Sequence, residues 1–151
     1  MNQLQKQADA LYEKWNRIDA IYSEHAKGLN LSHTSVDVLY FMYKSQDNES
    51  MQCTQKTICE EYDFPKQTVN TIISGFIKDG LVEFGEAPED RRHKTLLLTE
   101  KGKAFCADIF EKIQQAETRA FAKIPEEERA MLLSLLDKYA NELRQELLNK
   151  I

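Results

Sequence analysis

Lys66, Gln67, Asn70, Thr71 and Ser74 stand at helical spacing, and their side chains are those that bind nucleic acid. The amide of Gln or Asn donates and accepts at once, so either can pair bidentately with adenine. A Thr hydroxyl can hydrogen-bond a base while its methyl meets that of thymine. Lys neutralises phosphate. Thr68 lies in the same stretch. Some residues later comes a second cluster, Asp90-Arg91-Arg92-His93-Lys94. The acid in it looks wrong for meeting phosphate. A carboxylate two residues before an arginine can instead hold that guanidinium in one orientation through a charge-assisted pair.

The elements that must position these groups are legible around them. Val69, Ile72, Ile73, Phe76 and Ile77 recur every three or four residues, so they share one buried face and leave the polar set outward. Pro65 suits the first helical position, where its missing N–H has no intrahelical partner. Asp79-Gly80 ends the helix. Before it, Thr54 caps a shorter helix with Ile58, Cys59 and Tyr62 inward, and Asp63-Phe64-Pro65 breaks the two apart. After it, Leu81-Val82-Glu83-Phe84 reads as a short strand, Gly85 and Pro88 punctuate, and Thr95 to Leu98 pairs back. Met51-Gln52-Cys53 can add a third strand. Helix, turn, helix and a ribbon with a basic tip form a DNA-reading device. One helix enters the major groove, and the helix from Thr54 and Gln55 crosses the backbone. An ordinary amphipathic surface helix is the competing reading for Lys66 to Ser74 taken alone.

These residues resemble the MarR family of winged helix-turn-helix regulators. Asp90-Arg91-Arg92 is similar to its D-x-R wing signature, and Leu98-Thr99-Glu100-Lys101-Gly102 to its L-T-x-x-G. Phe64 to Val82 resembles its recognition helix and exit. Asp63 stands where the family usually has Gly, Pro65 where it has Ser or Thr, and Thr71 where an Arg is frequent. The usual side-chain cap of the recognition helix is therefore missing. The resemblance implies a mainly α fold with a small β-wing. It covers residues 1–151 as one domain, with a reader over about 32–98 and dimerisation helices over about 1–27 and 100–151. It implies a homodimer that binds a pseudo-palindromic operator in double-stranded DNA, acting as a repressor relieved by a small-molecule effector. Arg92, aligned to D-x-R, would enter the minor groove, where A·T tracts concentrate negative potential. Arg91, His93 and Lys94 would touch phosphate.

Charge distribution agrees with this only weakly. The net formal charge is −5, which argues against non-specific coating of nucleic acid. Residues 64–103 hold seven Lys and Arg against six Asp and Glu, and the rest hold thirteen against nineteen. The stretch 64–103, from the second reader helix through the ribbon, is thus not acidic while the remainder is.

Leu4, Ala8, Leu11, Trp15, Ile18, Ile21 and Tyr22 mark a long first helix stopped near Lys27-Gly28. Ser32 caps a second, with Val36, Leu39, Tyr40 and Tyr43 as its expected buried face. Thr99 opens a fifth helix with Phe105, Ile109, Phe110, Ile113, Ala116, Ala120 and Phe121 on its apolar side. Pro125 breaks it, and Glu126 to Glu128 start a last helix carrying Leu132, Leu135, Leu136, Tyr139, Leu143 and Leu147. Apolar stripes of this length call for a second copy. Trp15, Tyr22, His25, Tyr40 and Tyr43, with His33 nearby, are the candidate effector-pocket residues, because aromatic walls with polar tips suit small phenolic or anionic ligands.

No apolar leader precedes Asp19 and no run reaches the roughly 18 residues of a membrane span, so a cytoplasmic protein is expected. Cys53, Cys59 and Cys106 include no C-x-x-C pair. A redox-responsive regulator is one alternative reading, although the first helix carries no cysteine. His25, His33 and His93 lack metal-ligand spacing, so neither metal nor other cofactor is expected. No G-x-S-x-G, phosphate loop or zinc hydrolase motif occurs, so an enzyme is not expected. A winged helix that binds only protein is the remaining alternative.

Overall fold

The computed structural model describes residues 2–85 and 94–148. In chain order these form α1 (Gln3–Gly28), α2 (His33–Ser45), α3 (Gln55–Tyr62), α4 (Lys66–Lys78), β1 (Val82–Phe84), β2 (Leu96–Leu98), α5 (Glu100–Ala122) and α6 (Glu126–Leu148). The chain divides into two compact units, Met1–Ala107 and Asp108–Ile151.

The first unit is built around α2. Val38, Leu39, Phe41 and Met42 are buried on it, where α2 packs against β2 and α4. Ile58 of α3, Val69, Ile73 and Phe76 of α4, Val82 of β1, Leu96 and Leu98 of β2, and Cys106 of α5 complete the core. Each large aliphatic buried here contributes about 1.5–3 kcal/mol of transfer free energy. The expected α2 face was different. Leu39 is buried, but Tyr40 is exposed and Val36 and Tyr43 are half-buried. The run Val38-Leu39-Tyr40-Phe41-Met42-Tyr43 is apolar all round, so periodicity does not choose between its faces.

Three local details differ from expectation. Gly28 is the last residue of α1 but does not stop it by a left-handed turn. Asn30 takes that conformation (φ 57°), while Leu31 N–H donates to the Ala26 carbonyl. Asn tolerates this region because its short amide can bond locally. Pro65 sits at the cap position rather than the first helical residue, with extended ψ 138° and its carbonyl accepting from Val69 N–H. Met51-Gln52-Cys53 forms no strand. One bridge joins Thr54 to Thr95, and Leu96 N–H donates to the Cys53 carbonyl, because the chain must turn at Thr54 to start α3.

The ribbon is antiparallel, with Val82 opposite Leu98, Glu83 opposite Leu97 and Phe84 opposite Leu96. In the second unit, Ile109 and Phe110 are buried on α5, whereas Ala116, Ala120 and Phe121 are exposed. No residue of α6 is buried. Within the first unit, α1 buries only Ala26.

Candidate nucleic-acid interface

The two reader helices meet through a tight three-residue turn. Thr54 and Thr57 form a reciprocal cap on α3: Thr57 N–H donates to Thr54 Oγ1 at 3.1 Å, and Thr54 N–H to Thr57 Oγ1 at 2.9 Å. At the other end Asp63 is left-handed (φ 53°, ψ 42°), and both Asp63 and Phe64 N–H donate to the Cys59 carbonyl. Asp fills a backbone slot that suits Gly. Phe64 then stacks on Tyr62 at 5.1 Å, and Tyr62 meets the edge of Phe41 at 6.3 Å. Burial, with Asp37 nearby, pushes the Tyr62 phenol up to about 12. Pro65 offers α4 no side-chain cap.

The far end of α4 is fixed more heavily. Gly80 takes φ +73°, its N–H donates to the Ile77 carbonyl, and Leu81 N–H to that of Phe76. This paired arrangement satisfies the last carbonyls and buries Leu81. The Leu98-to-Gly102 run then locks ribbon to helix. Thr99 N–H donates to the Leu81 carbonyl, and Thr99 Oγ1 donates to the Gly80 carbonyl at 2.6 Å while accepting from Gly102 N–H at 3.0 Å. Lys101 Nζ donates to the Asp79 carbonyl at 2.8 Å. A Cβ on Gly102 would run into the Leu81 carbonyl oxygen, so only glycine allows this approach. Thus L-T-x-x-G is the fastening between the exit of α4 and the start of α5.

With one face of α4 buried, the other is presented. Lys66, Gln67, Asn70, Thr71 and Ser74 are exposed, and Thr68 is half-buried. Thr71 Oγ1 donates to the Gln67 carbonyl at 2.9 Å. Its hydroxyl hydrogen is thus used within the helix, leaving its methyl and lone pairs for a ligand. Gln55, half-buried at the start of α3, donates from Nε2 to Asn70 Oδ1 at 3.1 Å. Sequence reasoning missed this link, since nothing local ties residues fifteen apart. Thr54 is buried, with its hydroxyl engaged in the cap, so it sets where α3 begins and is not itself offered to a ligand. Asp90, Arg91, Arg92 and His93 lie outside the described residues. Lys94 is exposed, its Nζ 4.7 Å from the ring centroid of Phe84, a cation–π contact that draws the charge against the ribbon.

Of the effector candidates, Trp15, Tyr22, His25 and Tyr40 are exposed and Tyr43 is half-buried. Tyr22 stacks on His33 at 6.3 Å, and Ser23 Oγ lies 3.3 Å from His33 Nδ1. Lys44 Nζ is 5.7 Å from the Tyr40 ring centroid. An open groove of about 480 Å³ lies elsewhere, lined by Met42, Ser45, Met51, Cys53, Leu96 and Leu98 among others, and by none of the five candidates. Burial pushes the Cys53 thiol up to about 11, against a hydrogen bond with Ser45, and the Cys106 thiol up to about 12. The thiolate is the reactive form, and burial disfavours it at both positions. Among the described residues no three His, Cys, Asp or Glu side chains gather to hold a metal, and no helix is long and apolar enough to cross a membrane.

Helix, turn, helix and antiparallel ribbon, with a polar face held outward on the second helix, define a winged helix-turn-helix. The MarR family model matches residues 28–93. NMB1585, a MarR family regulator from Neisseria meningitidis, is 30% identical over 100% of both chains, with a TM-score of 0.73. The chain belongs to the MarR family. MepR of Staphylococcus aureus, solved in complex with DNA, shares the fold at 17% identity and TM-score 0.70, over 91% of this chain and 97% of that one. The transcriptional regulator PA3341 shares it at 23% identity and TM-score 0.70, over 91% and 98%. No curated protein matches the sequence.

Proposed function

We propose that this chain is a sequence-specific, double-stranded-DNA-binding transcriptional regulator, working as a homodimer on a pseudo-palindromic operator. The carrying observation is α4: Val69, Ile73 and Phe76 are locked in the core, and Lys66, Gln67, Asn70, Thr71 and Ser74 are exposed on the opposite side. MepR, which shares the fold, was solved in complex with DNA, and that supports DNA as the ligand here. In this reading α4 enters the major groove and Arg92 the adjacent minor groove, while Arg91, His93 and Lys94 contact phosphate. Residues 1–151 act as one domain, the reader over about 32–98 being paired to its copy through α1, α5 and α6. The exposed stripes of α1 and α6 support the dimer.

The regulator acts as a repressor, released when a small molecule settles among Trp15, Tyr22, His25, Tyr40 and Tyr43. The protein is a cytoplasmic non-enzyme in this reading. Selection of bound sequences from random duplex DNA tests it. A pseudo-palindrome with half-sites about 34–36 Å apart is expected, with affinity falling steeply as salt rises through counterion release. No enriched duplex and a flat salt response would leave the protein-binding alternative.

A further inference from the structure

We infer that Gln55 is a positioning residue that sets which base Asn70 reads, by taking up one end of its amide. This rests on the DNA-binding reading above and adds the rule by which the reader discriminates. An unconstrained Asn in the major groove reads adenine with both ends, Oδ1 accepting from N6 and Nδ2 donating to N7. Asn70 is not unconstrained. Its Oδ1 accepts from Gln55 Nε2 at 3.1 Å, across the gap between α3 and α4.

The anchor is itself held. Gln55 is the first residue of α3, immediately after the Thr54–Thr57 cap, and is half-buried. Asn70 sits mid-way along α4, whose rotation is fixed by Val69 and Ile73 beside it, both buried. The backbone of each amide is therefore fixed, and the hydrogen bond between them chooses the orientation of the exposed one. With one lone pair of Oδ1 committed to Gln55, the donor end of Asn70, Nδ2 with its two hydrogens, is the end left uncommitted for a base. A donor end matches base edges that accept: guanine through N7 and O6, or thymine through O4. Turning both amides over would keep the bond and reverse its polarity. The substitution Gln55→Glu imposes that reversal, because a carboxylate only accepts. Asn70 would then donate to the introduced carboxylate and present Oδ1, which suits the amino groups of cytosine or adenine.

The experiment is selection from random duplex DNA with the full-length protein, repeated for Gln55→Ala, Gln55→Glu, Asn70→Ala and the Gln55→Ala/Asn70→Ala pair. At one position in each half-site the wild type is expected to prefer guanine or thymine. Gln55→Ala should move that preference to adenine by about tenfold, the size of a bidentate contact. Gln55→Glu should move it to cytosine or adenine while weakening binding overall through its added charge. Asn70→Ala should erase the preference there, and adding Gln55→Ala should change nothing more. A merely structural Gln55 would weaken binding to all sequences alike and leave the preferred base untouched, and that result overturns the inference. So does a Gln55→Ala effect that persists in the Asn70→Ala background, which would make Gln55 a direct base contact. If the wild type enriches no duplex, the regulator reading falls and takes this one with it. An enriched duplex with an unmoved base sinks this one alone.

Discussion

Val69, Ile73 and Phe76 on α4 and Leu132, Leu135, Tyr139 and Leu143 on α6 follow the same rhythm of threes and fours, and their fates differ. The first set is buried and every member of the second is at least 40% exposed. The difference is not in the helices. α4 has α2, α3 and β1 folded against it, while α6 buries no residue at all. Periodicity states that a face needs cover, and only the rest of the fold states whether the same chain supplies it. Where the chain does, the stripe is a folding element; where it does not, the stripe is free to serve association.

The contrast breaks first, and by the largest amount, in the reader core. Ile58, fully buried on α3, leaves a cavity when cut to Ala, and the expected loss is about 2–5 kcal/mol. Urea denaturation should show it. Gly102→Ala tests the fastening rather than the filling. Its new Cβ meets the Leu81 carbonyl, a backbone atom already held by Thr99 N–H, so little can give way. About 3 kcal/mol of destabilisation is expected. A wild-type denaturation midpoint for either variant would mean that the reader tolerates what its packing forbids.

On α6 the expected effect is smaller and of a different kind. Leu143→Asp should leave the reader folded and weaken self-association by about 2 kcal/mol or more, roughly 30-fold in Kd. Sedimentation equilibrium reads this directly. A variant that unfolds with the same denaturation profile as Ile58→Ala would show that α6 is core after all. A wild type that stays monomeric at micromolar concentration would remove the assignment of its stripe to a dimer.

The same contrast explains how much could be read in advance. Helix–turn–helix–ribbon was legible, because Thr54, Pro65, Gly80 and Thr99 mark their boundaries by backbone chemistry that is local. The face of α2 was not, since a continuous apolar run offers several registers and only packing on β2 and α4 selects one. The left-handed turn at Asn30 was hidden behind Gly28, the more obvious left-handed residue. At the interface the exposed set on α4 was legible from spacing alone. The engagement of Thr71 with Gln67 and of Asn70 with Gln55 was not, because residue type says what a side chain can bond to and not what it already does. The third strand failed for a related reason: Met51-Gln52-Cys53 is short, and the α3 cap follows too closely for a ladder to form.

The smallest effect is the sharpest test of what the α4 surface is for. Gly75 lies in the α4 interior, exposed, at a conventional helical φ, and a Cβ built there meets nothing within 4 Å. Nothing in the fold of the chain requires glycine at this position, in contrast to Gly102. Glycine inside a helix costs roughly 0.5–1 kcal/mol relative to Ala, chiefly through the freedom it retains when unfolded. Gly75→Ala should therefore stabilise the protein by about that amount, as a raised urea midpoint with an unchanged slope. Residue 75 also follows Ser74 on the side presented for DNA. If close approach of a phosphate or base is what keeps the position bare, the same variant should bind its selected duplex less tightly than the wild type while resisting urea better. Stability gained with affinity unchanged would mean that α4 meets DNA elsewhere along its length, at Lys66 to Thr71. Stability lost would mean that the helix is strained at Gly75, which its geometry gives no reason to expect.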